Sequence, residues 1–444
     1  DQFRDLQSLI RQIKESWDGP VILGGPMVTL APLHTAAHCS GADVLFRGEV
    51  EHTLIDFLHL YFASDPWGFR SLTQMLGIPG LCVRYPGGTI LSSFDQVPEV
   101  ETGRICNYGT GFLNENDLRY GLEFSTSRGC PRSCTFCSHV HGKHLRVASP
   151  EQIDHDLCTA AISLRKIGAR SEYPHLFSIN INDDDILINP QRAAFILDIC
   201  RKHGFKLWGI QTSIESLRDP GVRADLFQRL SEPSGFVDDR VVLWIGTDAF
   251  SKVRLHRLGK QGSESDIERI CEDIHSFGFF GYHYWIITDA ESTWEELMGE
   301  LQLMLRAKSN YPESFHILPN AATLVPYPGT PVYRQRLQQK VYPQIILQAL
   351  LTIPGCPELD YPLVSHERPR DSYLYALVEP RADVAERLLT DPWRFINHIR
   401  AGRFGDAIMD ALAILTLKIR DMENGCRRNE LETLKRCIME RWFS

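Results

Sequence analysis

Cys130, Cys134 and Cys137 stand within eight residues of one another, separated by three residues and then by two, with Phe136 just before the third. Thiolate is the soft ligand that iron–sulfur clusters and zinc prefer, so three thiols on one short loop can face a single inorganic centre. Three protein ligands leave one corner of a four-iron cluster open to a substrate. Zinc is the competing occupant, with His139, His141 or His144 near enough in sequence to complete a tetrahedral set.

Other candidate groups lie downstream. Asp183-Asp184-Asp185 closes an apolar run and could accept hydrogen bonds from an ammonium or from sugar hydroxyls. A lone acidic triplet is more often a solvated turn that caps the next helix. Asp248 follows another apolar run, and Arg254 and Arg257 stand in a basic segment ending at Lys260. A planar guanidinium suits a carboxylate ligand, though a solvated helix start explains either arginine equally well. His283, between two tyrosines, reads as a hydrogen-bonded core residue before it reads as a catalyst.

Composition narrows the class. Of 444 residues, 43% are hydrophobic and 23% charged, ordinary values for a globular protein of two or three domains. The net charge of −9 argues against a broad nucleic-acid-binding face. No apolar run reaches the ~18 residues of a membrane span, and the first ten residues do not resemble a secretory signal. Nine of the twelve cysteines are scattered singly, which suggests reduced thiols and a cytoplasmic protein. The chain begins at Asp1 rather than Met, as a processed form or a piece of a longer protein would.

The elements that must position these groups follow from periodicity. Residues 2–17 read as an amphipathic helix through Leu6, Ile10 and Ile13. Short apolar strands at 21–23 and 43–46 alternate with helices expected over 32–39 and 51–62, the rhythm of a parallel, Rossmann-like layer over residues 1–62. Gly24-Gly25 turns the first corner, where glycine relieves a steric constraint. Residues 63–118 read as a linker holding a small hairpin at 81–91. Strands expected near 121–126, 176–182, 206–212, 241–247, 281–288 and 315–325 then alternate with helices near 150–168, 190–203, 221–230, 264–277 and 292–307. Six strand–helix repeats over 119–335 predict a partial (β/α)6 barrel, whose chemistry belongs at the C-terminal strand ends. Residues 336–444 read as a mainly helical domain, with Ile408, Leu412, Leu415 and Ile419 on one stripe.

The C-x3-C-x-Phe-C loop resembles the cluster loop of the radical S-adenosylmethionine (SAM) superfamily. The turn Pro326-Tyr327-Pro328-Gly329-Thr330-Pro331-Val332-Tyr333 is similar to a signature of its cobalamin-linked and methylthiolating branch. Leu23-Gly24-Gly25-Pro26 and Ala42-Asp43-Val44-Leu45-Phe46-Arg47-Gly48-Glu49 resemble the second half of the cobalamin-binding domain of that branch; its first half is missing. The resemblance implies a [4Fe–4S] cluster on Cys130, Cys134 and Cys137, with SAM on the open iron. It implies SAM contacts from Phe136, Asp183, Asp184, Asp248 and Arg254, and a corrinoid near Gly24 and Gly25. Radical formation would then serve cobalamin-dependent methylation of an unactivated carbon in a small molecule or peptide, with an external electron donor such as flavodoxin or ferredoxin. The alternatives are a vestigial cobalamin domain, a rearrangement instead of methylation, or a non-catalytic, zinc-stabilised interaction module. The acidic charge weighs against RNA methylthiolation.

Overall fold

The computed structural model describes residues 2–30, 41–63, 73–84, 90–93, 121–168, 177–231, 241–289, 294–324 and 330–339, with a few single positions besides. The stripe at Ile408–Ile419 and the rest of the expected helical tail beyond 339 lie outside these residues, apart from isolated positions. The chain divides into two compact units.

The first unit takes Asp1–Gly103, Ser127–Val147 and Pro326–Pro369. It holds helix α1 (Gln2–Ser16), strand β1 (Ile22–Leu23), helix α2 (Pro26–Leu30), strand β2 (Val44–Phe46), helix α3 (Thr53–Ala63) and the hairpin β3 (Leu81–Arg84) and β4 (Ile90–Ser92). The four strands form one sheet in sequence order. β1 and β2 are parallel, as expected, but β3 joins antiparallel to β2 through Phe46↔Leu81 and Val44↔Val83. The hairpin expected in a linker therefore belongs to this sheet. The reason is burial: Leu81, Cys82 and Val83 are 1% exposed or less.

Strand alternation sorts the side chains between two cores. Leu45 and Cys82 join Ile10, Val21, Val28 and Ala42, with Leu6 and Ile13 of α1 packed alongside. Val44, Phe46, Leu81 and Val83 face the other way, onto Phe57 of α3, Met75 and Ile78. An apolar run buried on both faces is what a central strand requires, and each such side chain contributes roughly 1.5–3 kcal/mol. Within the helix expected over 32–39, Pro32, Thr35 and Ala36 are helical, and a further short helix, α2, begins immediately after Gly25. Pro26 starts it because a first helical residue needs no N–H partner.

The second unit takes Arg104–Thr126, Ala148–Val325 and Arg370–Ser444. Its strands are β5 (Leu122–Phe124), β8 (Ser178–Ile181), β9 (Lys206–Ser213), β10 (Val242–Asp248), β11 (Phe280–Thr288) and β12 (Phe315–Thr323). They lie side by side in sequence order, and every pairing is parallel. Helices α4 (Pro150–Gly168), α5 (Pro190–Lys202), α6 (Ile214–Leu217), α7 (Pro220–Ser231), α8 (Lys252–Arg257), α9 (Glu264–Ser276) and α10 (Trp294–Asn310) fill the crossovers. Local signals set their starts. The side chains of Asn189, Ser213, Ser251 and Ser263 each accept a first-turn N–H, and Pro190 opens α5. This is the parallel α/β arrangement expected of the six repeats.

Candidate functional site

The cysteine loop belongs to the first unit. Strands β6 (Ser127–Arg128) and β7 (Arg146–Val147) pair antiparallel and close it at its base. Gly129 follows at φ +83, a conformation that favours glycine, and a side chain there would collide with the His144 carbonyl. The Cys130 N–H donates to the Gly142 carbonyl at 3.2 Å, and the Cys137 N–H to the Cys134 carbonyl at 3.3 Å. The His139 N–H points at Cys137 Sγ from 3.4 Å, a donor that favours a charged sulfur over a neutral one.

All three cysteines and Phe136 are half-buried, and the cysteines carry thiols. Of the other described cysteines, Cys158 on α4 is likewise half-buried. Cys39, Cys82, Cys200 and Cys271 are buried. Burial pushes the Cys82 and Cys200 thiols up to about 12, which disfavours the thiolate form there. Close spacing on one half-buried loop thus makes Cys130, Cys134 and Cys137 the candidate set. Among the described residues no three His, Cys, Asp or Glu side chains are gathered as a finished metal site. Thiolates repel one another without a cation between them, and ligands of this kind close on the metal as it binds.

The signature turn is tied to the same loop. Helix α11 (Pro331–Gln339) begins behind Thr330, whose Oγ1 accepts from the Tyr333 N–H at 3.1 Å. Its Val332 N–H, unpaired within a first helical turn, donates to the Thr135 carbonyl at 3.1 Å. The turn braces the cysteine loop, a contact that neither motif announces.

Gly24 and Gly25 lie exposed at the β1–α2 corner. Gly25 adopts φ +94 and its carbonyl accepts the Thr29 N–H at 3.0 Å, so its freedom serves the turn. Glu49 anchors the loop's base. Its carboxylate receives both terminal nitrogens of Arg146 at 2.7 Å each, with Arg128 at 3.3 Å and His141 Nδ1 at 3.2 Å.

In the second unit the expected SAM contacts separate into exposed and occupied groups. Asp183 is 1% exposed. It accepts the Thr126 N–H and Oγ1–H at 2.6 Å each and pairs with Arg192 at 2.9 Å. Asp185 is buried too, accepting from Thr212, Ser213 and Ser216 and capping the turn Ile186–Ile188. Only Asp184 of the triplet is exposed. Asp248 is 6% exposed, at φ +62, and pairs with Lys260 at 2.8 Å; Lys260 also donates to the Gly246 carbonyl at 2.6 Å.

Arg254 corrects the expectation most sharply. It is wholly buried, bonded to Glu300, to Asp289 at 3.3 Å and to the Ile286 carbonyl at 2.8 Å, which leaves no face for a ligand carboxylate. Burial pushes Glu300 upward, opposed by Arg254, the Trp285 indole N–H and two backbone amides. Arg257 is held by Asp289 at 2.7 Å and by Glu296. His283 is core, as expected: burial, with a smaller contribution from His316, lowers it to about 3, and its ring bonds Thr247 Oγ1 at 2.9 Å. Lys260, in the loop after α8, and Glu215 of α6, 3.7 Å apart, are groups to which sequence reasoning gave no role.

No protein-family model matches the chain. It is 23% identical over 320 residues to an uncharacterized methyltransferase of Pyrococcus horikoshii, covering 70% of this chain and 61% of that protein. It is 30% identical over 143 residues to 2-(S-pantetheinyl)-carbapenam-3-carboxylate methyltransferase of Streptantibioticus cattleyicolor, covering 30% of this chain and 20% of that protein. Its structure resembles that of OxsB, a cobalamin-dependent S-adenosylmethionine radical enzyme solved with aqua-cobalamin, at TM-score 0.57 and 14% identity over 98% of this chain and 64% of that one. The likeness is one of fold. TsrM, the radical S-adenosylmethionine methyltransferase from Kitasatospora setae solved with cobalamin and a [4Fe–4S] cluster, matches at TM-score 0.56 and 16% identity over 80% of this chain and 64% of that one. The chain spans less than two thirds of the length of each of these radical SAM structures and of each relative. Among the described residues no helix is long and apolar enough to cross a membrane.

Proposed function

We propose that this chain is a radical SAM enzyme whose Cys130, Cys134 and Cys137 hold a [4Fe–4S] cluster and which methylates an unactivated carbon of a small molecule or peptide with the help of cobalamin. The observation that carries the reading is the loop itself: three half-buried thiols on a backbone closed by β6 and β7, in a chain whose remaining described cysteines are mostly core. When bound, such a cluster supplies the electron that cleaves SAM to a 5′-deoxyadenosyl radical.

The chain's own residues do the rest. Gly129 lets the backbone turn directly before Cys130. The His139 amide stabilises negative charge on Cys137. Phe136 sets a half-buried aromatic residue directly before Cys137. Asp184 offers an exposed carboxylate for an ammonium, and Asp248, held by Lys260, is a fixed acceptor for a hydroxyl. Reduced buried thiols fit a reducing compartment, and an external flavodoxin or ferredoxin fits the need for electrons.

Anaerobic reconstitution with iron and sulfide tests the reading. The expected result is about four iron atoms per chain and 5′-deoxyadenosine on reduction with SAM present. Stoichiometric zinc without SAM cleavage would falsify it in favour of the interaction module. Retention of corrinoid absorbance through gel filtration, with transfer of a labelled SAM methyl group to product, tests methylation separately. The likeness to OxsB, a cobalamin-dependent S-adenosylmethionine radical enzyme, supports a second reading. In it SAM cleavage and corrinoid binding persist while the label stays out of the product.

A further inference from the structure

Glu49 ends the Arg47-Gly48-Glu49 turn, and that turn is firmly held. The Arg47 N–H donates to the Gly80 carbonyl at 2.8 Å, Arg47 Nε to the Thr29 carbonyl at 3.0 Å, and the Gly48 N–H to Thr29 Oγ1 at 3.0 Å. The Glu49 side chain is 5% exposed and that of Arg146 is 8% exposed. A charge this deep is costly unless its geometry is good, and here both carboxylate oxygens are used.

The arginines that Glu49 binds are not placed at random. Arg128 and Arg146 sit directly opposite each other in the β6–β7 ladder that closes the cysteine loop. Like charges facing each other across a ladder repel. Glu49 lies between them, with Glu51 a second partner for Arg128. It also reaches His141 within the loop, and Arg146 donates to the His141 carbonyl at 2.7 Å. One side chain thus holds both ends and the far arm of the loop that carries Cys130, Cys134 and Cys137.

We infer that Glu49 is a positioning residue for the iron–sulfur cluster, holding the cysteine loop shut by bridging the two opposed arginines at its base. In this chain the Arg-Gly-Glu motif serves the cysteine loop whether or not a corrinoid binds. The inference rests on the proposed cluster and uses none of the second unit.

Iron retention in the full-length, reconstituted chain is the measurement, taken during challenge with an iron chelator. Glu49→Gln is expected to retain iron about ten-fold less well, the scale on which outer partners of metal ligands act. The EPR signal of its residual reduced cluster should broaden as loop geometries multiply. Asp43→Asn removes a different partly buried pair of the same unit, Lys14–Asp43 at 2.6 Å, and should retain iron like the wild type. The double variant Glu49→Gln/Arg128→Gln should recover part of the loss, because the opposed charges no longer face each other; it also stands in if the single variant does not fold. Equal retention in Glu49→Gln and wild type overturns the inference. So does equal loss in Asp43→Asn, or a double variant whose losses simply add. A wild-type chain that takes up no iron overturns the cluster reading and this inference together.

Discussion

The cysteine loop and the six-stranded sheet handle charge in opposite ways. At the base of the loop, arginines crowd together and a carboxylate arrives from a distant turn to hold them, while the thiols stay half-exposed. In the sheet unit, Asp183, Arg254 and Glu300 are buried at 1% exposure or less, with Asp183 bonded to Thr126 and Arg192, and Arg254 and Glu300 bonded to each other. The first arrangement keeps its reactive atoms half-exposed. The second spends its charges on fixing strands and helices, so a motif position can be filled by the right residue type and still be architectural.

The largest test of that contrast is the loop itself. Changing any one of Cys130, Cys134 or Cys137 to Ala should reduce 5′-deoxyadenosine formation to background, with the unfolding midpoint of the iron-free chain unchanged. A large drop in that midpoint would mean that the thiols are structural after all. Next is Arg254→Met, which leaves Glu300 buried without its partner and should destabilise the chain by about 3–5 kcal/mol in urea denaturation. The double variant Arg254→Met/Glu300→Leu should regain much of that. A folded Arg254→Met chain with normal stability but weakened SAM binding would return Arg254 to the ligand site.

Smaller effects separate neighbours. Asp183→Asn should lower stability by about 2–3 kcal/mol by loosening Thr126 and Arg192. Asp184→Asn, one residue on, should leave unfolding unchanged and weaken SAM binding several-fold in calorimetry. Last is a pH effect. His283 is lowered by burial to about 3, against ~6.5 in an unfolded chain. Its neutral ring contributes stability that is present above pH 6.5 and is lost as pH falls toward 3. The loss is at most about 1.4 kcal/mol per pH unit. His283→Gln should flatten the slope of stability against pH in that window; an unchanged slope would show that the ring titrates freely.

Much of the sheet unit is legible in the sequence because its signals are local. Alternating apolar runs, Asn189 and Ser263 at helix starts, and Pro190 each act within a few residues. The cysteine spacing is local too. What sequence reasoning misses is pairing over distance. Nothing near Arg254 announces Glu300, and nothing near Asp183 announces Thr126, so both were assigned to a ligand. The hairpin at Leu81–Arg84 was read as linker because its partner strand β2 lies far upstream. Glu49 looked like the end of a borrowed motif; its work appears only when Arg128 and Arg146 are paired across the ladder.

The bond from the Val332 N–H to the Thr135 carbonyl has a consequence in time. A ribosome adds roughly 5–20 residues each second, and these partners are separated by roughly 200 residues, so the cysteine loop exists for about 10–40 s before its brace is even made. Until then Glu49 and the β6–β7 ladder, all in place once Val147 is made, hold the loop without it.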